Sequence, residues 1–214
     1  MKTSFLTFVL LFLFVSTASL QGQSFEGVVT YKYKFKDKTG FLKPKDVKRL
    51  HGKQQKFYFK NNKYKNLLNG ESQITQTYLN DTLYITNKTV RAVMWVNTTK
   101  PTGKVISHSI TQNAAVIKGI SCDLLEVHTT EGIIQYYFNP AYKIDYDQYT
   151  EHKYHYWAFC LEMTGGALPL KFIFDTEKSQ TVITCTKLQE LNIADSVFDL
   201  PKGLPIIKKP KRMR

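Results

Sequence analysis

Hydrophobic and polar residues alternate along the stretch SFEGVVTYKYKFKD, residues 24–37, in the pattern of a half-buried β-strand. The apolar side of this pattern holds Phe25, Val29, Tyr31, Tyr33 and Phe35, and the opposite side holds Glu26, Thr30, Lys32, Lys34 and Lys36. Successive side chains of a strand point to opposite faces of a sheet. The lysines are therefore expected to face away from the core, where they solvate the sheet and protect an edge from pairing with other chains.

Further runs rich in aromatic and β-branched residues follow along the chain, with turn-forming residues between them. They are QQKFYFK, KYKNLL, SQITQTYL, DTLYITN, TVRAVMWVN, VISHSITQ, SCDLLEVHTT, GIIQYYF, ALPLKFIF and TVITCTKL. Asn69-Gly70 and Asn80-Asp81 stand where hairpin turns belong, because these residues tolerate positive φ. The runs are amphipathic, which predicts a mainly β protein built as an antiparallel meander with one packed face and one solvated face.

Three segments depart from this pattern. Residues 37–53 are charged and contain Pro44, which predicts either a mobile loop or a short helix starting near Asp46. Residues 142–159 carry aromatic side chains at spacings of three and four, which fits one face of a helix, although tyrosines also favour strands. Residues 206–214 are rich in cations and are predicted to be a basic disordered tail.

The beginning of the chain has the features of a secretory signal peptide. Lys2 precedes the apolar run FLTFVLLFLFV, and small and polar residues follow that run. The run from Phe5 to Val15 is 11 residues long, about half of the roughly 20 that a membrane-spanning helix needs. We therefore predict a signal peptide over residues 1–22, one domain over residues 23–205, and a periplasmic or secreted protein without a transmembrane anchor.

The chain is strongly basic, with a formal net charge of +13. Removal of the signal peptide changes this little, because Lys2 is its only charged residue. Such a charge favours acidic surroundings such as a lipid headgroup surface, a polysaccharide or a nucleic acid. Export to the envelope argues against nucleic acid, so the partner that the charge predicts is an anionic envelope surface. The sequence indicates no oligomeric state.

Cys122, Cys160 and Cys185 are the only cysteines. If WAFCLEM and TVITCTKL are strands on either side of ALPLKFIF, Cys160 and Cys185 are separated by two strand spacings, roughly 9 to 10 Å. That distance exceeds the reach of a disulfide. We therefore predict that these two cysteines do not form a bridge and that all three are buried thiols.

The sequence shows little catalytic chemistry. It has no glycine-rich phosphate loop, no G-x-S-x-G turn and no paired cysteine spacing for a metal. The best candidate cluster is Glu151, His152 and His155, in which both histidines would share a face if the segment were helical. This is not the H-E-x-x-H arrangement, so we predict a protein that is not an enzyme and has no cofactor and no metal site.

Several segments taken in order resemble those of small exported proteins common in Bacteroidota. These segments are FEGVVTYKYKF after the signal peptide, IKGISC, YYFNPAYKID, GGALPLKFIF and TKLQELNIADSVFDLP. Those proteins are similar to the lipoprotein carrier and receptor superfamily (LolA/LolB type) and more distantly to the GLPGLI family, although GLPI at 203–206 lacks the second glycine of that signature. The resemblance implies a half-barrel: a single curved antiparallel sheet, partly wrapped around one or two short helices, with an apolar hollow.

An incompletely closed sheet must cover its concave apolar face with helices, a loop or a ligand. The residues expected to line the hollow are Val29, Tyr31, Tyr33, Leu83, Ile85, Trp95, Leu168, Leu170 and Phe172. The leading hypothesis is an envelope protein that binds a lipid or another apolar ligand there. The alternatives are that the same side chains simply fill a core, and that the basic face docks a partner or an anionic surface.

Overall fold

The computed structural model describes residues 24–210, which form one mainly β fold around a single sheet. The sheet has 12 strands within this range. They are Gly27–Asp37 (β1), Gln54–Lys60 (β2), Lys63–Leu68 (β3), Thr75–Leu79 (β4), Thr82–Asn87 (β5), Val90–Asn97 (β6), Val105–Ile117 (β7), Ile120–Thr129 (β8), Gly132–Lys143 (β9), Ala167–Thr176 (β10), Ser179–Glu190 (β11) and Ile206–Lys208 (β12). The signal peptide predicted over residues 1–22 lies outside the described residues.

The sheet consists of two antiparallel meanders joined through its first strand. The order of strands is β12-β6-β5-β4-β3-β2-β1-β11-β10-β9-β8-β7. β1 pairs with β2 on one side and with β11 on the other. The antiparallel meander predicted from the alternating runs is confirmed, and the sheet stays open, with β12 and β7 at its edges.

This order corrects one interpretation of the first strand. Lys32, Lys34 and Lys36 are exposed as predicted, whereas Tyr31 and Tyr33 are buried. However, β1 pairs with both β2 and β11 only from Gly27 to Lys32, and beyond Lys32 its ladder partner is β11 alone. The role in protecting an edge strand is therefore wrong for Lys32, whereas for Lys34 and Lys36, which lie beyond the end of the β2 ladder, it stays a prediction.

Two short α-helices interrupt the strands. The first, Pro44–His51 (α1), begins with proline, whose missing N–H is no loss in the first helical turn, and packs against β1. It matches the helix predicted near Asp46. The second, Trp157–Met163 (α2), follows two 3-10 turns, Tyr146–Tyr149 and Tyr154–Tyr156. A third 3-10 turn is Asp195–Phe198.

The interpretation of WAFCLEM as a strand is wrong, because these residues form α2. The helix buries Cys160 and Leu161, which together with Trp157 have the spacing of one helical face. All three cysteines are nevertheless free and buried, which confirms the prediction that Cys160 and Cys185 form no bridge. Cys160 lies on α2 rather than on a strand beside β10.

The core lies on one face of the sheet, which curves around α2 and the segment before it. Its main cluster contains Tyr31 from β1, Leu83 from β5, Leu170 from β10 and Leu161 from α2. A second cluster contains Leu125, Val127, Ile134 and Tyr136 from β8 and β9, together with Cys160 of α2. Because α2 contributes to both clusters, it holds the two halves of the concave face together.

The other face of the sheet is covered over a small area by the chain that follows β11. Val28, Ile193 and Phe198 form a buried cluster there, with Tyr58 and Leu79 packed against it. A carboxylate oxygen of Glu26 accepts a 2.6 Å hydrogen bond from the backbone N–H of Ile193 and fixes the start of this segment. The face that the strand pattern predicts to be solvated is thus partly packed.

The end of the chain differs from the prediction of a disordered tail over 206–214. Ile206, Ile207 and Lys208 form β12, which pairs in parallel with Val93, Met94 and Trp95 of β6. The prediction is wrong for these three residues, whereas residues 211–214 lie outside the part of the chain that the structure describes. Between residues 24 and 210, no helix is long and apolar enough to span a bilayer.

Candidate functional site

A cavity of about 320 Å³ lies on the concave face of the sheet. Side chains from β1 to β5 and from β9 to β11 form its floor and sides. His152, Tyr154, His155, Trp157 and Cys160, from the segment that crosses the concave face, form its cover. His155, one of the cover residues, is exposed, so the cavity reaches the surface of the protein.

Aromatic rings form much of the cavity wall. Phe57 and Phe59 of β2 stack at 5.5 Å between centroids, and Phe59 lies parallel to the Trp157 ring at 6.5 Å. Tyr64 of β3 contacts Phe57, Phe59 and Trp157. Stacked rings present flat, apolar surfaces, which suit the flank of an apolar ligand.

Two residues with positive φ place Trp157 in this wall. His155 has φ 52° and Tyr156 has φ 61°, so the chain turns sharply after Lys153 and enters α2 at Trp157. Residues other than glycine rarely adopt this left-handed conformation, because it is energetically unfavourable for them. The packing of Tyr156 and Cys160 into the second core cluster holds the turn in place.

His152, one of the cover residues, is held in place by an aromatic cluster. Its Nε2 is 2.8 Å from the Tyr64 hydroxyl, and its ring centroid is 4.5 Å from that of Tyr78. The residue is only 2% exposed. Burial lowers the pKa of His152 to about 4, so this imidazole is neutral at neutral pH.

Two tyrosine hydroxyls in the cavity wall donate to the backbone at the start of β10. Tyr31 donates to the carbonyl oxygen of Pro169 at 2.8 Å, and Tyr136 donates to that of Ala167 at 2.6 Å. Burial raises the pKa of both phenols well above the usual value. These hydroxyls are structural, because they satisfy carbonyl groups where the β9–β10 pairing shifts register.

Other polar atoms of the wall have no such partner. Within residues 24–210, Gln55 Oε1, Asn66 Oδ1 and Trp157 Nε1 are buried and make no hydrogen bond. The amide nitrogen of Asn66 is used, because it donates to Gln76 Oε1 at 3.0 Å. A buried polar atom without a partner destabilises a protein by about 1–3 kcal/mol, so such atoms favour a ligand that supplies the missing partner.

The cavity wall is uncharged. Its residues include no lysine, arginine, aspartate or glutamate, although the chain contains 30 Lys+Arg. Burial raises the pKa of the Cys160 thiol to about 12 and that of the Tyr33 phenol to about 12, so both stay protonated at neutral pH. The cavity therefore offers aromatic surface and neutral polar groups.

The structure places the residues expected to line a hollow in three different environments. Tyr31, Tyr33, Leu83 and Phe172 line the cavity. Val29, Ile85, Leu168 and Leu170 are buried in the core cluster and are not part of the cavity wall. For these four, the alternative that apolar side chains simply fill a core describes the structure better.

Trp95 is the clearest correction. Its neighbours Met94 and Val96 pack against the concave core, whereas Trp95 pairs across the ladder with Tyr84 and has the Lys208 ammonium 5.6 Å from its ring. Side chains alternate along a strand, so Trp95 lies on the opposite face from the cavity. Its assignment to the cavity wall is wrong.

Several wall residues were missed by the sequence prediction, although the alternation contained the signal for most of them. In QQKFYFK, Gln55, Phe57 and Phe59 share one face, and in KYKNLL the next strand places Tyr64 and Asn66 on the same side. Trp157 could not be found this way, because it enters the wall from a helix. The polar character of the wall is visible only once the strands are paired.

The histidine cluster considered for a metal is divided by the backbone. His152 is buried against Tyr64 and Tyr78, whereas Glu151 is exposed and pairs with Lys153 at 3.1 Å. The segment is not a regular helix, so the expected shared helical face does not exist. Among the described residues, no group of three or more His, Cys, Asp or Glu is arranged to hold a metal ion.

A second depression, which we call the lysine groove, lies on the outer side of β1 and has a volume of about 460 Å³. Five lysines line it, and no acidic residue does: Lys32, Lys34, Lys36, Lys48 and Lys53. The ammonium of Lys48 lowers the pKa of Lys53, which reflects the crowding of positive charge. Such an arrangement favours anions.

Comparisons with known proteins give the chain no family. No protein-family model matches it, and no curated protein matches it. Among solved structures it is similar to the crystal structure of an uncharacterized conserved protein from Thermus thermophilus, with 7% sequence identity and a TM-score of 0.47. That similarity covers 86% of this chain and 90% of the Thermus chain.

Proposed function

We propose that this protein is an exported, non-enzymatic envelope protein that binds a lipid or another apolar ligand in the concave cavity. The observation that carries the proposal is the aromatic cavity of about 320 Å³. The volume lies within the range of small-molecule sites, roughly 300–1,000 Å³. The leader-like beginning of the sequence and its resemblance to the lipoprotein carrier and receptor superfamily support the same function.

The cavity suits a ligand that is held mainly by burial of its apolar surface. Each Å² of apolar surface that leaves water contributes about 25 cal/mol to binding. The stacked Phe57, Phe59 and Trp157 rings can cover one flank of such a ligand, and Phe172 and Phe174 line the cavity from β10. Because β2, β3, β10 and β11 are paired into one sheet, these surfaces are formed before the ligand arrives.

Filling the cavity should weaken the binding of an apolar probe. Leu68 lines the cavity from β3, and its neighbour Leu67 lies on the opposite face of that strand. We expect the Leu68→Trp variant to bind N-phenyl-1-naphthylamine at least about tenfold more weakly than the wild type, a loss of about 1.4 kcal/mol. Leu67→Trp, the matched control, should bind the probe as the wild type does. Titrations that follow the probe's own fluorescence measure both.

Native mass spectrometry of the purified protein adds an independent measurement. A co-purified apolar compound that is absent from Leu68→Trp supports the proposal. If the wild type binds no probe, or if both tryptophan variants bind it equally well, the cavity is not a ligand site and the proposal fails.

The lysine groove favours a second candidate function, docking to an anionic envelope surface. Lys32, Lys34 and Lys36 alternate along β1 with side chains of the core, so they stand in a row on the outer face. Lys48 of α1 and Lys53, the residue before β2, line the same groove. Exposed lysines near an anionic membrane contribute about 1 kcal/mol each, and salt weakens that attraction.

Replacement of the three lysines on the outer face of β1 should reduce binding to anionic vesicles. We expect a variant with Lys32→Gln, Lys34→Gln and Lys36→Gln to bind phosphatidylglycerol vesicles roughly 10- to 100-fold more weakly at low salt. The matched control carries Lys100→Gln, Lys104→Gln and Lys118→Gln, three exposed lysines outside the groove, and has the same net charge. Equal losses in both variants would mean that total charge, rather than the groove, drives the binding. Vesicle sedimentation distinguishes these results.

A further inference from the structure

We propose that the cavity selects a neutral amphipathic ligand, one with an apolar body and an uncharged group that both donates and accepts hydrogen bonds, such as a hydroxyl or an amide. The cavity would then reject the corresponding carboxylate or ammonium compound. This inference rests on the proposed function, since it names the chemical class that the same cavity takes.

The cations of this protein lie away from the cavity. A site built for fatty acids or anionic headgroups is expected to place a lysine or arginine beside the ligand, and this chain has 30 such residues. None of them lines the cavity, whereas five lysines line the groove on the outer side of β1. A carboxylate in the cavity would lose its hydration and find no cation to replace it.

The ionisable side chains of the wall do not supply that charge either. Burial lowers the pKa of His152 to about 4 and raises the pKa of the Cys160 thiol to about 12, so both are neutral at neutral pH. Burial also raises the pKa of the Tyr64 phenol well above its usual value. An ammonium ligand therefore meets no anion in the wall, just as a carboxylate ligand meets no cation.

The unpartnered polar atoms identify the neutral group that fits. Gln55 Oε1 and Asn66 Oδ1 lack a donor, and Trp157 Nε1 lacks an acceptor. A hydroxyl or an amide can supply both, whereas a hydrocarbon supplies neither. The terminal torsions of Gln and Asn are soft, so their amides can turn toward a bound group with small rotations.

The two amides stand close enough to act on one ligand group. Gln55 of β2 pairs across the ladder with Leu68, and Asn66 of β3 is two residues from Leu68 on the same face. Such diagonal neighbours have Cα atoms about 7–8 Å apart, within reach of long side chains. Phe57 pairs with Asn66 and lies two residues from Gln55 on the same face of β2, so the polar pair adjoins the aromatic wall.

Competition against a neutral probe tests this selectivity. The probe is N-phenyl-1-naphthylamine bound to the full-length mature protein, and the competitors are 1-dodecanol, dodecanoate and dodecylammonium, at about pH 8, where the carboxylate is ionised. We expect 1-dodecanol to displace the probe at concentrations at least tenfold lower than either charged compound requires. The signal reports only the release of the probe from the cavity. Dodecanoate that binds in the lysine groove therefore does not contribute to it.

A cation placed in the wall should reverse the preference for the alcohol over the carboxylate. Thr181 lines the cavity from β11, and Val182 lines the lysine groove from the opposite face of that strand. We expect Thr181→Lys to bind dodecanoate about tenfold more tightly than the wild type, with the affinity for 1-dodecanol little changed. Val182→Lys adds the same charge to the other face and should leave both affinities as they are.

The outcomes separate this inference from the function on which it rests. Equal displacement of the probe by 1-dodecanol and dodecanoate in the wild type would overturn the selectivity while leaving an apolar-ligand site in place. Failure of the probe to bind at all would overturn the proposed function itself. Tighter dodecanoate binding in Thr181→Lys but not in Val182→Lys supports the neutral wall as the cause of the selectivity.

Discussion

The wild-type protein is expected to lose about 2 kcal/mol of folding stability through His152 alone as the pH falls from about 7 to 5. The pKa of His152 is about 4 in the folded protein, because burial disfavours the charged ring, against 6.5 for an exposed imidazole. Between these two values the unfolded chain binds the proton and the folded protein does not. The stability that depends on a neutral His152 is therefore fully present above pH 6.5 and is lost as the pH falls toward 4.

Two variants isolate this effect. In His152→Gln the titrating group is gone, so the unfolding free energy should fall by about 2 kcal/mol less over the same pH range than in the wild type. In Tyr64→Phe the partner at 2.8 Å is lost, but His152 keeps its burial, so the steep pH dependence should remain. Urea denaturation at several pH values measures all three proteins. Parallel pH profiles for the wild type and His152→Gln would show that this histidine is not held neutral.

Much of the sheet could be predicted because one physical rule governs it. A strand with one packed and one exposed face alternates with a period of two, and β3, β5 and the second half of β1 follow that rule. The rule says nothing about which strands become neighbours. The pairing of β1 with β11, which joins the two meanders, is not visible in the pattern of any one strand.

The segment that covers the cavity could not be predicted, because tertiary contacts override its local preferences. Tyrosine and tryptophan favour strands, yet Tyr149, Tyr156 and Trp157 belong to 3-10 and α-helical turns. Their burial against β3, β4 and the second core cluster determines this conformation. Positive φ at His155 and Tyr156 is likewise a product of that packing.

The wrong assignments among the residues predicted to line the cavity have a related cause. Alternation within β6 separates Trp95 from Met94 and Val96, but which set faces the core depends on the pairing with β5. Val29, Leu168 and Leu170 were placed on the correct face, and the structure shows that this face contains both a packed core and a cavity. Only three-dimensional packing distinguishes the two, because both need apolar side chains.

Substitution of Gly27 by alanine is expected to destabilise the protein by more than the protonation of His152 does. Gly27 begins β1 with φ +155°, and a Cβ on it would lie 2.0 Å from the carbonyl oxygen of Gln189 in β11. The collision is with backbone, so relief requires that the β1–β11 pairing itself shift. We expect Gly27→Ala to cost about 3 kcal/mol or more, which combines steric overlap with backbone strain.

Gly119 provides the matched control for this substitution. It also has positive φ, +79°, in the turn between β7 and β8, but a Cβ there meets no atom within 4 Å. Gly119→Ala should therefore cost only about 1–2 kcal/mol, which is the strain of the left-handed conformation alone. The expected fall in melting temperature for Gly27→Ala is roughly 6–12 °C, measured by thermal denaturation. If both variants melt alike, the junction of β1 with β11 tolerates displacement. Since β1 carries Tyr31 and Tyr33 into the cavity wall, a rigid junction is what keeps that wall formed.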